Sequence, residues 1–162
     1  STYAQEEIDL GSYVNLGVSK STLLRIHNIS CQITDADAAV DAISGASALK
    51  ICHQLTTQGQ TGIVTADDKS LICSGSMQLY NAQTSEDGSQ AADYSTGFAT
   101  HDFDVAPQQF TNGYLVGVDS LFLLVDQNGV LTSGNVKVAY VLECTLESAT
   151  QANSVALALS QQ

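Results

Sequence analysis

The chain has 162 residues, of which 44% are hydrophobic, so it is long enough for one domain with a core of its own. Asp and Glu number 17 against 5 Lys and Arg, which gives a formal net charge of -12. Because binding to phosphate backbones or anionic lipid depends on clustered Lys and Arg, we expect no direct contact with nucleic acid. The sequence has no signal-peptide pattern and no run of about 18 consecutive apolar residues, which predicts no membrane insertion.

Apolar and polar residues alternate with a period of two along most of the chain, which predicts β-strands. After a short IDL segment, the strands predicted in the first half cover residues 12–18, 21–34, 48–57 and 70–80. Two of these strands carry a histidine on their apolar face, His27 and His53, and both are expected to be hydrogen-bonded core residues. Gly75 interrupts the last strand, where it predicts a bulge or the close approach of a neighbour.

Residues 35–49, DADAAVDAISGASAL, depart from this pattern. Their alanine content favours at most about two or three helical turns inside a loop, with Asp35 as the cap. Asp35, Asp37 and Asp41 stand close together there, and oxygen ligands of this kind could hold calcium. The segment lacks the glycine and the final Glu of an EF-hand loop, so a solvated acidic loop is the favoured interpretation and no metal site is predicted.

The segment HDFD, residues 101–104, combines imidazole and carboxylate groups. In a strand, Asp102 and Asp104 lie on one face while His101 and Phe103 lie on the other. These side chains therefore cannot converge locally on a metal ion, and the pattern is typical of a polar edge strand.

Three connections are predicted in the middle part of the chain. The polar run 81–93 is expected to be a long surface loop, and ADDK at 66–69 is expected to be a turn. Pro107, the sole proline, lies in an extended connector that Phe110 is expected to anchor.

Residues 114–125 are almost entirely apolar and predict one central strand covered on both faces. Asn128-Gly129 tolerates positive φ, and we expect it to close a hairpin between that strand and residues 130–147. VALAL, residues 155–159, predicts a last strand. In the segment NVKVAYVLECTLE of this hairpin, every second side chain is expected to face the core: Val136, Val138, Tyr140, Leu142, Cys144 and Leu146. Its other face is only half polar because of Ala139 and Val141.

The four cysteines are Cys31, Cys52, Cys73 and Cys144. No CxxC pair or nearby His pair accompanies them, so a structural zinc site is not expected. Buried free thiols are the favoured interpretation, while two disulfides with three connectivities stay open. Cys52 and His53 are adjacent in a strand and should point to opposite faces, which argues against a catalytic Cys-His pair.

No pattern predicts catalysis or a cofactor. Ser76 in CSGSM lies in a strand without a GxSxG elbow, and GQTG at 59–62 lacks the Lys and the helix of a phosphate-binding loop. We therefore predict no enzyme, no catalytic residue, no cofactor and no small-molecule substrate. Arg25 is the only arginine, and it suits either a structural ion pair or a solvated surface charge.

Many strands and little helix predict an all-β antiparallel sandwich of one domain over residues 1–162. A single jelly roll of about eight strands is the favoured version. The absence of Trp argues against an immunoglobulin-type sandwich.

The segment FTNGYLVGVDSLFLLVDQNGVLTSGNVKVAYVLECTLES resembles the closing hairpin of small single jelly-roll coat proteins of icosahedral viruses of bacteria and archaea. The matched residues are Tyr114 to Val125, Asn128-Gly129, Val136, Val138, Tyr140 and Leu142. The resemblance implies a capsid or surface-lattice subunit of a virion, which assembles with copies of itself and with other structural proteins. STYAQEEIDL is acidic where many coat proteins carry a basic arm, which implies a position away from nucleic acid.

Two alternatives remain open. One is an extracellular ligand-binding or adhesin-type sandwich, with calcium assistance from Asp35, Asp37 and Asp41 or from the loop 81–93. The other is a fibre subunit that donates a strand at 153–159 to a neighbour.

Overall fold

Two facing antiparallel sheets form the fold of this computed structural model, which describes residues 2–16, 20–38, 47–83, 94–129 and 135–161. Eight strands occur in these described ranges: β1 (Thr2–Asp9), β2 (Lys20–Asp35), β3 (Ser47–Thr56), β4 (Leu71–Gln83), β5 (Tyr94–Val105), β6 (Tyr114–Val116), β7 (Ser120–Asn128) and β8 (Val136–Thr150). One sheet has the order β1-β7-β3-β4-β5 and the other β6-β2-β8. The predicted all-β antiparallel sandwich is confirmed, while its jelly-roll connectivity stays a prediction.

The core lies between the sheets, where the apolar faces predicted from the alternation meet. Ile26 and Ile29 of β2 pack in one cluster with Leu55 of β3 and Leu121 of β7, and all four are essentially fully buried. A second cluster surrounds Leu49 and Ile51 of β3. Full burial of each such side chain stabilises the fold by about 1.5–3 kcal/mol relative to exposure.

The core position predicted for His27 is wrong, because β2 has a β-bulge at this residue. The register with β8 shifts between Ile26 and Asn28, so that His27 has no partner in the ladder. The extra residue reverses the alternation, because Ile26 faces the core before the bulge and Ile29 faces it afterwards. His27 therefore leaves the core face, and its Nε2 lies 2.7 Å from Thr145 Oγ1.

The single strand predicted at 114–125 is wrong, because the chain changes sheets within it. β6 pairs with β2 in the smaller sheet, whereas β7 lies between β1 and β3 in the larger one. The hairpin predicted at Asn128-Gly129 is also wrong. Gly129 does have a positive φ of 94°, but β7 and β8 belong to different sheets. Residues 130–134 lie outside the described ranges.

The N-terminal residues form a strand that the sequence did not predict. β1 pairs along its length with β7 and is one edge of the larger sheet. The strand predicted at 12–18 is wrong over its described part, because residues 11–13 form a turn and Asn15 makes only an isolated bridge to Thr22.

The last strand, predicted at 155–159, is wrong as well, because Gln151–Ser160 is an α-helix, α1. Thr150 caps it by accepting a hydrogen bond from the Asn153 N–H, and its alanine and leucine content suits a helix. No helix in the described part of the chain is long and apolar enough to span a membrane.

The connections differ from the predictions at two places. Pro107–Gln109 forms a 3₁₀ turn rather than an extended connector, and Phe110 is 60% exposed, so it is not buried in the core as an anchor would be. The turn predicted at 66–69 is confirmed. Of the predicted surface loop 81–93, the first three residues belong to β4, and residues 84–93 lie outside the described ranges.

Candidate functional sites

The predicted calcium candidates are described only in part. Asp35 is the buried last residue of β2, and its Oδ1 accepts a hydrogen bond from the Asp37 N–H at 2.9 Å. Most of the short helix predicted after Asp35, residues 39–46, lies outside the described ranges. Asp41 lies outside the described residues. Within the described ranges, the single group of three metal-binding side chains does not include these aspartates.

That group consists of Cys31, His53 and His101, which we call the His-Cys cluster. His53 Nε2 lies 3.8 Å from Cys31 Sγ and 3.1 Å from His101 Nε2. Cys31 comes from β2 in the smaller sheet, while the two histidines come from β3 and β5 in the larger sheet. The cluster therefore joins the two layers of the sandwich.

Alternation directs Cys31 and His53 to the interior, as the sequence predicted, whereas His101 is exposed on the edge strand β5 and its ring packs against His53. The predicted pairing of His101 and Phe103 on one face of β5 is also found, because both rings pack against His53. No local pattern in the sequence indicates that these three residues meet, because they belong to three separate strands. The signal that could have found them is the face on which each one lies, because His53 and His101 share one face of the larger sheet and Cys31 lies on the apolar face of β2.

Tyr140 of β8 fixes the orientation of the His53 ring. Its hydroxyl lies 2.5 Å from His53 Nδ1, and the Cys73 thiol donates a hydrogen bond to the same hydroxyl at 3.4 Å. The rings of Tyr140 and Phe103 both meet the His53 ring edge to face. Hence Nδ1 is occupied by the hydroxyl, and Nε2 is left facing Cys31 and His101.

Burial keeps the groups around His53 uncharged. It lowers the pKa of His53 to about 4, with a further contribution from His101. It raises the pKa of Cys31 to about 12 and that of Cys73 to about 11, and it raises the pKa of Tyr140 further above its ordinary value. At neutral pH these four side chains therefore form a neutral polar network between the sheets. All four cysteines of the chain are free thiols.

Arg25 makes the cross-strand ion pair that was one of its two predicted roles. Its Nε and Nη2 donate to the two carboxylate oxygens of Glu147 at 2.8 and 2.9 Å, and Nη1 donates to the Asn112 carbonyl oxygen at 2.6 Å. The hydrogen bond from Arg25 lowers the pKa of Glu147. This bidentate ion pair links β2 to β8, and both charged groups are partly exposed to solvent.

A groove is open along one side of the sandwich, between β1 and β8. These strands are edges of the larger and the smaller sheet within the described chain. The groove measures about 580 Å³, and a further depression of about 320 Å³ continues it along β1 and β8. Its apolar lining includes Ile8, Leu10, Leu121, Leu123, Leu142 and Leu146. We call this feature the open groove.

Apolar side chains are also exposed around the open groove. Leu146 at its rim is 55% exposed, so the core position predicted for it is not fully covered. Val141, on the outer face of β8, is 70% exposed, which agrees with the half-polar outer face predicted for this strand. On α1, Val155 and Leu159 lie one turn apart and are exposed too. The surface thus offers an apolar cleft and an apolar helical stripe.

No family model matches this chain, and no curated protein matches it.

Proposed function

We propose that this chain is a structural subunit of a virion, a self-assembling capsid or surface-lattice protein without catalytic activity. The open groove between β1 and β8 is the single observation that carries the proposal. Both bordering strands, of 8 and 15 residues, present a row of backbone groups at the edge of a sheet. The apolar cleft between these two edges favours contact with an apolar surface of another chain.

The proposed occupant of the open groove is α1 of a second copy. Val155 and Leu159 present an apolar stripe on that helix, whereas the groove presents apolar side chains. A contact between two different surfaces of identical chains is heterologous, so repeating it produces rings or extended lattices. This is the geometry that a shell or surface layer requires.

Charge sets the conditions for this assembly. Glu6 and Glu7 lie on β1 and Glu143 lies on β8, so the borders of the open groove are acidic even though Glu147 is paired with Arg25. With a net charge of -12, copies of the chain repel one another at low ionic strength. Salt shortens the range of this repulsion to roughly 10 Å at 0.1 M. Assembly should therefore strengthen as salt is added.

The resemblance of residues 110–148 to jelly-roll coat proteins points in the same direction. The antiparallel sandwich agrees with that architecture at the level of fold class, although β7 and β8 lie in facing sheets rather than in a hairpin. We propose other structural proteins as further partners, a location in the virion and no contact with nucleic acid. The donor-strand alternative is not retained, because its proposed strand at 153–159 is helical.

Light scattering coupled to size-exclusion chromatography, followed by electron microscopy, tests the proposal. The purified chain is expected to be a monomer or small oligomer at low salt and to form larger, regular assemblies as salt and protein concentration rise. A chain that stays monomeric under all of these conditions would contradict the proposed function.

A further inference from the structure

We propose that the His-Cys cluster binds one transition metal ion, Zn²⁺ in the first place, through Cys31 Sγ, His53 Nε2 and His101 Nε2. The site would join the two sheets and does not depend on the proposed virion function. Three donor atoms from three strands lie within 4.8 Å of one another. Zinc favours this set of sulfur and nitrogen donors.

The distances fit ligands that share one ion. With bonds of about 2.3 Å to sulfur and about 2.1 Å to nitrogen, a tetrahedral zinc site separates its donor atoms by roughly 3.4–3.6 Å. The separations here are 3.8 Å for Cys31 Sγ to His53 Nε2 and 3.1 Å for the two Nε2 atoms. Shifts of a few tenths of an ångström would therefore bring these two pairs to the spacing of a tetrahedral site, and Cys31 Sγ lies within 4.8 Å of the His101 donor atom.

The surroundings of His53 favour metal binding at Nε2. A metal-bound imidazole usually donates the hydrogen on its other nitrogen to a fixed acceptor. Tyr140 Oη, at 2.5 Å from Nδ1, is placed to accept that hydrogen. Phe103 packs against the same ring and adds an apolar wall. The ring is thus already held with Nε2 directed at the other two donors.

The cluster is reached from solvent on the side of His101. His53 is fully buried, Cys31 is half-buried and His101 is exposed on the edge strand β5. An ion can therefore reach the site from the side of His101, where water can complete a tetrahedral shell around three protein ligands. The nearby carboxylates Asp102 and Asp104 alternate with His101 along β5 and so belong to its other face.

The test uses the full chain, stripped of metal with a chelator and titrated with Co²⁺ as a spectroscopic probe for Zn²⁺. One Co²⁺ per chain should give intense tetrahedral bands together with a sulfur-to-cobalt charge-transfer band, and Zn²⁺ should displace it. His101→Gln and Cys31→Ser should remove the charge-transfer band or weaken binding at least about tenfold. The matched controls His27→Gln and Cys144→Ser change the same residue types outside the cluster and should bind as the parent does.

A second readout separates this site from carboxylates on the acidic surface. Zn²⁺ should slow alkylation of Cys31, located by mass spectrometry, while leaving that of Cys144 unchanged. His101→Gln should fold normally, because His101 is exposed on an edge strand. Circular dichroism checks that it does. Failure to bind one equivalent at micromolar concentration would overturn the proposal, and so would equal binding by His101→Gln and the parent.

Discussion

The imidazole of His53 lies directly against the backbone of Gly75, its partner across the β3–β4 ladder. A Cβ atom added to Gly75 would lie 2.5 Å from His53 Cε1 and 2.9 Å from the Asp102 carbonyl oxygen. Only a residue without a side chain leaves room for the ring there. The sequence-based prediction of a close approach or a bulge at Gly75 is confirmed on both counts, because the ladder to β5 also shifts register between Ser74 and Gly75.

Replacement of Gly75 by alanine is therefore expected to destabilise the fold. The added methyl group would displace either the His53 ring or the backbone of β5, at a cost of about 1–3 kcal/mol in the free energy of unfolding. Urea denaturation of Gly75→Ala measures this cost. Gly62→Ala is the matched control, because no atom lies within 4 Å of the position of its added Cβ, and equal effects of the two changes would refute the explanation.

The Arg25–Glu147 ion pair should give a measurable coupling energy. A double-mutant cycle with Arg25→Gln and Glu147→Gln is expected to show about 0.5–1 kcal/mol at pH 7, because both charged groups are partly exposed. The pair Lys137 and Glu143, on the same strand but apart, is the control and should be additive.

This coupling should also depend on pH in one direction. Arg25 lowers the pKa of Glu147 below its ordinary value of 4.5. As pH falls, the Glu147 carboxylate is therefore protonated in the unfolded chain before it is protonated in the folded chain. The stabilisation by the ion pair is complete above about pH 4.5, and it is lost as pH falls through the lower pKa of Glu147 in the folded state. The cycle repeated near pH 3 should give a smaller coupling energy, and an unchanged value would contradict the assignment.

Gln161 is expected to secure the C-terminal helix to the sandwich. Its side chain donates to the Leu115 carbonyl oxygen at 2.7 Å and accepts from the Gly117 N–H at 2.8 Å, although it is nearly fully buried. Gln161→Ala leaves those two backbone groups without partners and should cost about 1–3 kcal/mol. Gln151→Ala, at the exposed start of α1, should change stability by less than about 0.5 kcal/mol in the same thermal unfolding experiment.

A charge in the open groove should block assembly without unfolding the chain. Leu146→Asp and Val155→Asp place a carboxylate on the two surfaces that we propose to meet, so assembly measured by light scattering should weaken at least about tenfold. Asn28→Asp adds the same charge at an exposed position of β2 and should assemble as the parent does. If all three variants assemble equally well, α1 and the open groove do not form the contact between copies.

Free thiols predict a simple pattern of alkylation. The denatured chain should react at four cysteines, because none is in a disulfide. In the native chain Cys73 should be protected most, since it is fully buried, whereas Cys144 is only half-buried. Mass spectrometry after brief alkylation measures both states, and fewer than four reactive thiols in the denatured, unreduced chain would contradict the structure.

The amino-acid sequence by itself determined the strands whose signal is local. Alternation placed β2, β3, β4 and β8 close to their observed bounds and predicted that His53 lies on an apolar face, which is buried together with Leu49, Ile51 and Leu55. These predictions succeed because a strand must direct every second side chain into the core, whatever its partners are. The ion pair of Arg25 and the close approach at Gly75 could also be predicted, because a lone cation in an acidic chain and a glycine within a strand each suggest a specific local role.

Only the tertiary structure decided which strands meet. The bulge at His27, the change of sheet between β6 and β7, and the separation of β7 from β8 depend on the pairing of distant segments, which no local pattern specifies. Helix α1 likewise follows from its cap and from the docking of Gln161, since VALAL alone suits either conformation. The same long-range pairing brings Cys31, His53 and His101 together. Their convergence is a consequence of how two sheets face each other, so it becomes visible only when both sheets are present.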